Sequence, residues 1–228
     1  MRAPRPVRLP RAVVFDMDGL MLDTERVAHR CWSEAASTIG VAFDTALLPS
    51  MIGRNARDSR EFVLAHYGAG YPVDALMRES RTQFDVIARR DGIAVKPGLL
   101  ALLDWLESVS IPRVVATSTR RERARSHLER CGLMSRFHAL VGGDEVDNGK
   151  PAPDIFLLAA ARLDVVPAEC VVLEDSEPGV RGALAAGMIP IMVPILIGKA
   201  IAPSALPAVG IDLRNHTSDH RPDGPETR

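Results

Sequence analysis

The sequence has few of the features that mark secreted, membrane-bound or nucleic-acid-binding proteins. Only three of its 228 residues are cysteine, 4% are aromatic, and the formal net charge is −1. The cysteines are widely spaced without a CxxC pair, which is typical of reduced cytosolic thiols and not of a disulfide framework or a zinc site. With a net charge near zero, the protein has no overall excess of positive charge that would attract nucleic acid or an anionic membrane. We therefore expect a cytoplasmic protein with no nucleic-acid or membrane partner.

Long apolar runs are also missing, because no stretch approaches the length that spans a bilayer. Residues 1–10 carry arginines and prolines but no continuous apolar segment, which predicts a flexible tail and not a signal peptide. Residues 215–228 are polar and rich in turn-forming residues, which predicts a second flexible tail. The remaining length is enough for a substantial core, and we expect a monomer or a small homo-oligomer.

A short apolar run at residues 12–15 ends in two aspartates, Asp16 and Asp18, and is followed by Gly19 and Asp23. The run is typical of a strand buried on both faces, whose C-terminal end is where open α/β sheets place their ligands. Side chains two residues apart in an extended chain point the same way, so both aspartates can address one site. Carboxylates this close repel unless they share a cation or a proton. The pair indicates a hard metal ion, a proton donor or both, although a polar turn after a strand is the simpler alternative.

The hydrophobic pattern downstream predicts a helical stretch followed by alternating strands and helices. Three helices are predicted first, at residues 24–39, 56–66 and 73–90. Four further strands are predicted after them, at residues 113–117, 139–141, 170–174 and 189–193. Strands that alternate with helices at this spacing indicate a mostly parallel sheet covered on both faces. We therefore expect a doubly wound, Rossmann-like α/β core at residues 11–24 and 93–214, with an inserted helical cap at residues 25–92.

Three later segments place polar side chains at the ends of predicted strands. Thr117, Ser118 and Thr119 follow the second strand, and Thr119 with Glu122 forms the pattern of a helix capping box. The N-terminus of a helix beside hydroxyl groups is a natural phosphate site. Taken alone, this segment is better explained by a capped helix without any ligand.

Lys150 and a pair of carboxylates complete the set of polar strand ends. Pro151 restrains Lys150 to an extended conformation, so the lysine is presented on a stiff segment. Glu174 and Asp175 end the fourth strand, where alternation prevents both side chains from pointing at one spot. Asp175, at the very end of the strand, is the better placed metal ligand.

This series of strand ends resembles the haloacid dehalogenase-like superfamily, in its phosphatase and β-phosphoglucomutase-like branch. The family pattern is an aspartate pair, then a threonine or serine, then a lysine, then a carboxylate or carboxylate pair, each after a strand. The matching residues are Asp16, Asp18, Thr117, Lys150, Glu174 and Asp175. The resemblance covers residues 11–193, with the cap matching only in position and helical character. It implies a hydrolase that uses Mg²⁺ on a small phosphorylated substrate.

The resemblance also implies a role for each aspartate. Asp16 would attack phosphorus to form an aspartyl-phosphate, and Asp18 would act first as general acid and then as general base. Mg²⁺ would be held by Asp16, the main-chain carbonyl of Asp18 and the carboxylates at Asp175 and Glu174, because this hard ion prefers oxygen ligands.

The phosphate itself would be bound by Lys150, Thr117 and Ser118, with nearby backbone N–H groups. In the cap, Arg54 is a further candidate ligand, because a guanidinium pairs well with phosphate or carboxylate. A solvated arginine at a helix start is an equally good interpretation of Arg54.

Two departures from the mutase pattern favour a phosphatase. The mutases carry a cap histidine where this sequence has Ala28, one residue before His29, and a cap arginine where it has Ala56. We therefore expect a phosphatase for a sugar phosphate or phospho-acid, with a β-phosphoglucomutase-like sugar phosphomutase as the alternative. A non-catalytic protein that binds a phosphorylated ligand is the alternative of another class, and an altered nucleophile or lysine would signal it.

Overall fold

The computed structural model describes residues 9–193. Outside this range lie the first eight residues, residues 194–214 of the predicted core and the predicted tail at 215–228. Within it, five parallel strands form one sheet in the order β3-β2-β1-β4-β5. The strands are β1 (Ala12–Phe15), β2 (Arg113–Ala116), β3 (Ala139–Val141), β4 (Cys170–Glu174) and β5 (Ile189–Met192). The α/β fold expected from the sequence is confirmed.

Seven α-helices accompany the sheet within the described residues. They are α1 (Thr24–Ile39), α2 (Ala56–Tyr67), α3 (Val73–Arg90), α4 (Leu99–Ser108), α5 (Arg121–Arg130), α6 (Asp154–Arg162) and α7 (Glu177–Ala185). Short 3-10 helices occur at Thr45–Met51, Met134–Arg136 and Pro167–Glu169, which the hydrophobic pattern did not predict. No helix in residues 9–193 is long and apolar enough to cross a membrane.

Strand β1 lies at the centre of the sheet and is buried on both faces. Val13 and Phe15 pack into one apolar cluster, while Ala12 and Val14 pack into another on the opposite face. This two-sided burial is the reason that β1 is a continuous apolar run without alternation.

Parallel pairing then brings three strand ends to one edge. Phe15 is opposite Val115 of β2 and Leu173 of β4, so the residues that follow these positions emerge side by side.

Residues 24–90 form a helical segment that has small apolar clusters of its own. One cluster is centred on Ala35, Ala36 and Leu76, and another on Val63, Val73 and Met77. Helix α1 ends at Gly40, whose left-handed conformation (φ 71°) is the usual way for a glycine to end a helix. The segment is therefore a packed helical unit, with α1 against α3.

Helix α3 of this segment is attached to helix α5 of the sheet region by stacked side chains. The ring of Phe84 stacks on the imidazole of His127, with ring centroids 5.4 Å apart. The guanidinium of Arg123 lies 4.9 Å from the centre of the same ring and 3.2 Å from Asp85. His127 is buried, and its Nδ1 has no hydrogen-bond partner in the described residues. Burial lowers the pKa of His127, although the charge of Asp18 opposes this.

We predict that His127 makes the protein less stable in mild acid. The pKa of a histidine in the unfolded chain is about 6.5, and burial lowers it in the folded state. As the pH falls, the unfolded chain therefore takes up this proton first, and stability present above about pH 6.5 is lost. The free energy of unfolding, measured in urea at pH 7.5 and 5.5, should fall less in His127→Leu than in the wild type.

The matched control is His29→Leu, because His29 is exposed on α1. This variant should keep the pH dependence of the wild type. An equal loss of stability in the wild type and in His127→Leu would show that His127 is not the group responsible.

Candidate active site

The side chain of Lys150 is the centre of the cluster at the sheet edge. Its Nζ lies 2.5 Å from Asp16 Oδ1 after β1, 2.5 Å from Glu174 Oε1 of β4 and 3.2 Å from the carbonyl of Ala116 in β2. All three charged side chains are buried. The Lys150–Pro151 peptide bond is cis, which the sequence did not indicate. One ammonium group thus contacts the ends of the three central strands.

The charges of the cluster do not balance. Burial lowers the pKa of Lys150, but Asp16 and Glu174 more than compensate, so the net pKa is raised and the lysine stays charged. Burial raises the pKa of Asp16 well above its usual value; Lys150 opposes this, while Glu174, Asp175 and Asp18 add to it. One ammonium cannot neutralise four carboxylates, and a further cation would relieve the excess negative charge.

Asp175 carries the oxygen that best fits a metal ion. Its Oδ2 is buried without a hydrogen-bond partner in the described residues. Burial raises the pKa of Asp175 to about 8, and the charges of Glu174 and Glu25 contribute. In residues 9–193 no three His, Cys, Asp or Glu side chains are grouped to hold a metal by themselves. The oxygen donors here suit Mg²⁺, which usually binds one or two carboxylates and completes its shell with water and substrate phosphate.

Glu174 ends β4, as the sequence predicted, and its carboxylate is engaged by protein donors. Its Oε1 accepts from Lys150, and its Oε2 accepts from the N–H groups of Asp175 and Ser176 at 3.0 Å and from Ser176 Oγ at 2.9 Å. A side chain at Gly179 would collide with this carboxylate. Both oxygens are thus occupied by protein donors, so Asp175, and not Glu174, is the candidate metal ligand of the pair.

Two hydroxyl groups hold Asp18. Only one of them, that of Thr117, belongs to a residue that the sequence predicts to be part of the site. Thr117 Oγ1 donates to Asp18 Oδ2 at 3.1 Å, and Thr119 Oγ1 donates to the same oxygen at 2.7 Å. The capping box predicted for Thr119 and Glu122 is wrong, because α5 is preceded by Arg120 without a side-chain cap. Thr119 follows β2 in a bend, in which its N–H donates to Thr117 Oγ1 at 3.1 Å. The signal that could have identified it is the threonine two residues before it, whose hydroxyl commonly accepts from this N–H in a turn.

The side chains of Ser118 and Arg54 bond to main-chain carbonyls and not to the lysine cluster in the described residues. Ser118 Oγ donates to the carbonyl of Gly53 at 3.0 Å, in the loop before α2. Arg54 Nε donates to the carbonyl of Ser50 at 2.8 Å, and its guanidinium lies 5.0 Å from the ring centre of Phe62. In this structure both side chains are engaged with the helical segment, and their roles as substrate ligands stay predictions.

Glu25 is a further carboxylate near the site that the sequence analysis did not single out. Both of its carboxylate oxygens are buried without a hydrogen-bond partner in the described residues. Burial raises its pKa; Lys96 opposes this, and Asp23 and Asp18 add to it. Acidic residues are common in the first turn of any helix because of the helix dipole, so the pattern gave no separate signal for Glu25. Lys96 also lies 3.3 Å from Asp23 Oδ1.

Comparisons with known proteins agree with this arrangement. A family model for haloacid dehalogenase-like hydrolases matches residues 10–187. The chain is 34% identical to β-phosphoglucomutase of Bacillus subtilis over 184 residues, which are 78% of this chain and 80% of the relative. It is 32% identical to a phosphorylated carbohydrates phosphatase of Thermotoga maritima over 181 residues, covering 78% and 82%. It is 33% identical to the fructose-1-phosphate phosphatase YqaB of Escherichia coli over 186 residues, covering 77% and 92%.

A solved structure shows the same fold at similar length. The structure of CbbY from Rhodobacter sphaeroides in complex with phosphate superposes with a TM-score of 0.71 at 28% identity, covering 82% of this chain and 87% of that one. The residues that the family model matches include Asp16, Lys150 and Asp175. The chain therefore belongs to the haloacid dehalogenase-like hydrolase family and is an enzyme of its phosphatase type.

Proposed function

We propose that this enzyme is a Mg²⁺-dependent phosphatase that hydrolyses a small phosphorylated metabolite, a sugar phosphate or a phospho-acid, through an aspartyl-phosphate. The observation that carries the proposal is the buried Lys150–Asp16 pair together with Asp175 Oδ2, a buried oxygen for which residues 9–193 supply no hydrogen-bond donor. Two relatives are named as phosphatases of phosphorylated carbohydrates and of fructose 1-phosphate, which supports the substrate class.

In the first step, the chain supplies the nucleophile and the acid. Lys150 holds Oδ1 of Asp16, so the attack on phosphorus falls to Oδ2. The bond from phosphorus to the leaving oxygen breaks, its electron pair goes to that oxygen, and Asp18 gives it a proton. Lys150 and the Thr117 hydroxyl stabilise the charge on the phosphoryl oxygens. Mg²⁺, which Asp16, Asp175 and the Asp18 carbonyl would hold, supplies when bound the positive charge that lets a carboxylate approach a phosphate.

In the second step, the aspartyl-phosphate is hydrolysed. A water molecule attacks phosphorus and gives a proton to Asp18, which is now a carboxylate and acts as base. The bond between phosphorus and Asp16 breaks, which restores the Asp16 carboxylate and releases inorganic phosphate. The two steps leave both aspartates in their starting protonation states, so the cycle is complete.

The helical segment at residues 24–90 would act as the cap that closes the site. The carbonyl of Gly53 accepts from Ser118, after β2, and a side chain at Gly53 would collide with Ser176, after β4. The side chain of Asn55 lies where a side chain at Gly149 would be, next to the catalytic lysine. The loop before α2 thus lies directly against the loops that follow β2, β3 and β4. This contact would exclude water from the site and bring cap residues to the substrate.

A sugar phosphomutase is the second candidate, favoured by the relative named β-phosphoglucomutase. The position that matches the cap histidine of the mutases is Ala28, which packs against the core, and the neighbouring His29 is exposed; this supports the phosphatase. Conversion of β-glucose 1-phosphate with a bisphosphate activator, without release of phosphate, would establish this candidate instead.

We predict that Asp16→Asn abolishes phosphate release. The amide keeps the shape of the side chain but is not a nucleophile, so the rate should fall by about 10³-fold or more. The measurement is phosphate release from a panel of sugar phosphates, with Mg²⁺ and with EDTA, alongside circular dichroism to check folding. Asp164→Asn is the matched control, because Asp164 is exposed beyond α6 in a left-handed conformation (φ 54°) that asparagine adopts readily. Hydrolysis by Asp16→Asn at the wild-type rate would refute the mechanism.

We predict that Asp175→Asn weakens Mg²⁺ binding by at least about tenfold, because a charged oxygen ligand is lost. Isothermal titration of the metal into substrate-free protein measures this directly. In EDTA the same variant should be at least as stable as the wild type, because it removes a buried carboxylate that faces other carboxylates.

Glu177→Gln serves as the control for Asp175→Asn, since Glu177 is exposed and pairs only loosely with Arg181 at 3.7 Å. It should bind Mg²⁺ as the wild type does. Equal affinity in Asp175→Asn and the wild type would remove Asp175 from the metal site.

We predict that Gly53→Ala impairs cap closure and lowers kcat/KM by about tenfold or more, since small misplacements at a closing site are costly. Gly53 has φ +77°, and a methyl group there would meet Ser176 Oγ. Gly70→Ala is the matched control in the helical segment, because Gly70 faces open space. Steady-state kinetics with one sugar phosphate would compare them, and unchanged kcat/KM in Gly53→Ala would contradict this closure.

A further inference from the structure

Two hydroxyl groups converge on one oxygen of Asp18. Thr119 Oγ1 donates to Oδ2 at 2.7 Å and Thr117 Oγ1 donates to the same atom at 3.1 Å. A carboxyl oxygen that carries no proton only accepts hydrogen bonds, so an Oδ2 that accepts from both hydroxyls leaves the acid proton of Asp18 to Oδ1. The rotation of the carboxylate is therefore fixed, and Oδ1 is the oxygen that can exchange a proton with a substrate.

The two hydroxyl groups are not equivalent during the reaction. The Thr117 hydroxyl also accepts from the N–H of Thr119 at 3.1 Å, and in the proposed mechanism it donates to a phosphoryl oxygen. A hydroxyl group has a single proton to donate. When phosphate is bound, Thr117 cannot donate to both the phosphate and Asp18, and Thr119 is the donor that remains on Asp18.

Thr119 is held by the sheet region and not by the helical segment. Its N–H donates to Thr117, and its carbonyl accepts from the N–H of Gly143 at 2.9 Å. A side chain at Gly143 would collide with the carbonyl of Ser118, so the loops after β2 and β3 are in direct backbone contact. A side chain held this way keeps its hydroxyl in place whether or not the cap is closed.

We propose that Thr119 is a positioning residue for the general acid: its hydroxyl holds Oδ2 of Asp18 throughout the cycle, so that Oδ1 delivers the proton to the leaving oxygen. The inference rests on the proposed function, in which Asp18 protonates the leaving group while Asp16 forms its bond to phosphorus. The two hydroxyl groups, which both donate to Asp18 in this structure, then have different roles. Thr117 binds the phosphate, and Thr119 orients the acid.

The proposal predicts a defect that depends on the leaving group. Thr119→Val keeps the shape of the side chain and removes the hydroxyl. An alkoxide needs a proton to depart, whereas p-nitrophenolate leaves as an anion. For a sugar phosphate, kcat/KM should fall by about 10–100-fold, and for p-nitrophenyl phosphate by less than about threefold. Thr119→Ser keeps the hydroxyl and should restore both values, and the inhibition constant of inorganic phosphate should not change in either variant.

The control variant is Thr82→Val, because Thr82 is exposed on α3 and bonds only to the carbonyl of Arg78 in its own helix. It should match the wild type on both substrates. An equal loss on both substrates in Thr119→Val, or weaker inhibition by phosphate, would mean that Thr119 supports the fold or the phosphate site, and would overturn the inference.

Asp18→Asn distinguishes failure of this inference from failure of the proposed function. If Asp18→Asn shows the leaving-group dependence and Thr119→Val does not, only the role of Thr119 is refuted. If Asp18→Asn lowers kcat/KM for both substrates equally, the acid role of Asp18 in the first step fails, and the inference fails with it; a lower kcat on both substrates reports its role as base in the second step.

Discussion

A buried ammonium group joins the ends of the three central strands. Charges are costly to bury unless they are paired and hydrogen-bonded, and Lys150 is paired with Asp16, Glu174 and the carbonyl of Ala116. Each partner belongs to a different strand end, so the favourable geometry exists only when β1, β2 and β4 have their native register. Removing the lysine would leave two buried carboxylates facing each other. The register of the sheet and the geometry of Asp16, the proposed nucleophile, therefore depend on the same contact.

The distribution of hydrogen-bond donors then determines where a cation is needed. Glu174 accepts from Lys150 and from the loop that follows it, and Asp18 accepts from two threonine hydroxyls. Asp16 shares the single ammonium, and Asp175 keeps one buried oxygen without a donor in the described residues. Asp16 and Asp175 would hold the proposed Mg²⁺, because the protein itself supplies too little positive charge beside them.

The sequence predicted the strands and their polar ends because those signals are local. The apolar run of β1 and the carboxylates after it lie within a few residues, and parallel pairing alone places their counterparts at the same edge. The tertiary partners could not be predicted this way. Thr119 and Asp18 are 101 positions apart, and a local helix-capping pattern explained Thr119 without reference to Asp18. Glu174 and Asp175 differ by one position, and the position of Asp175 at the strand end favoured it as the metal ligand. The donors that occupy Glu174, which are Lys150, Ser176 and the N–H of Asp175, are visible only in the structure.

The contacts of Asp18 and the contacts of the helical segment are separate in this molecule. Asp18 is anchored by Thr117 and Thr119 in the sheet region, whereas the helical segment reaches the site through the carbonyl of Gly53 and the side chain of Asn55. In the proposed mechanism, closure of the cap is therefore not needed to orient Asp18, the proposed acid. Changes in the proposed cap loop would then alter the choice of substrate while the geometry of proton transfer is retained. The relatives are named for different phosphorylated compounds, and one catalytic edge combined with a variable helical segment would account for that range.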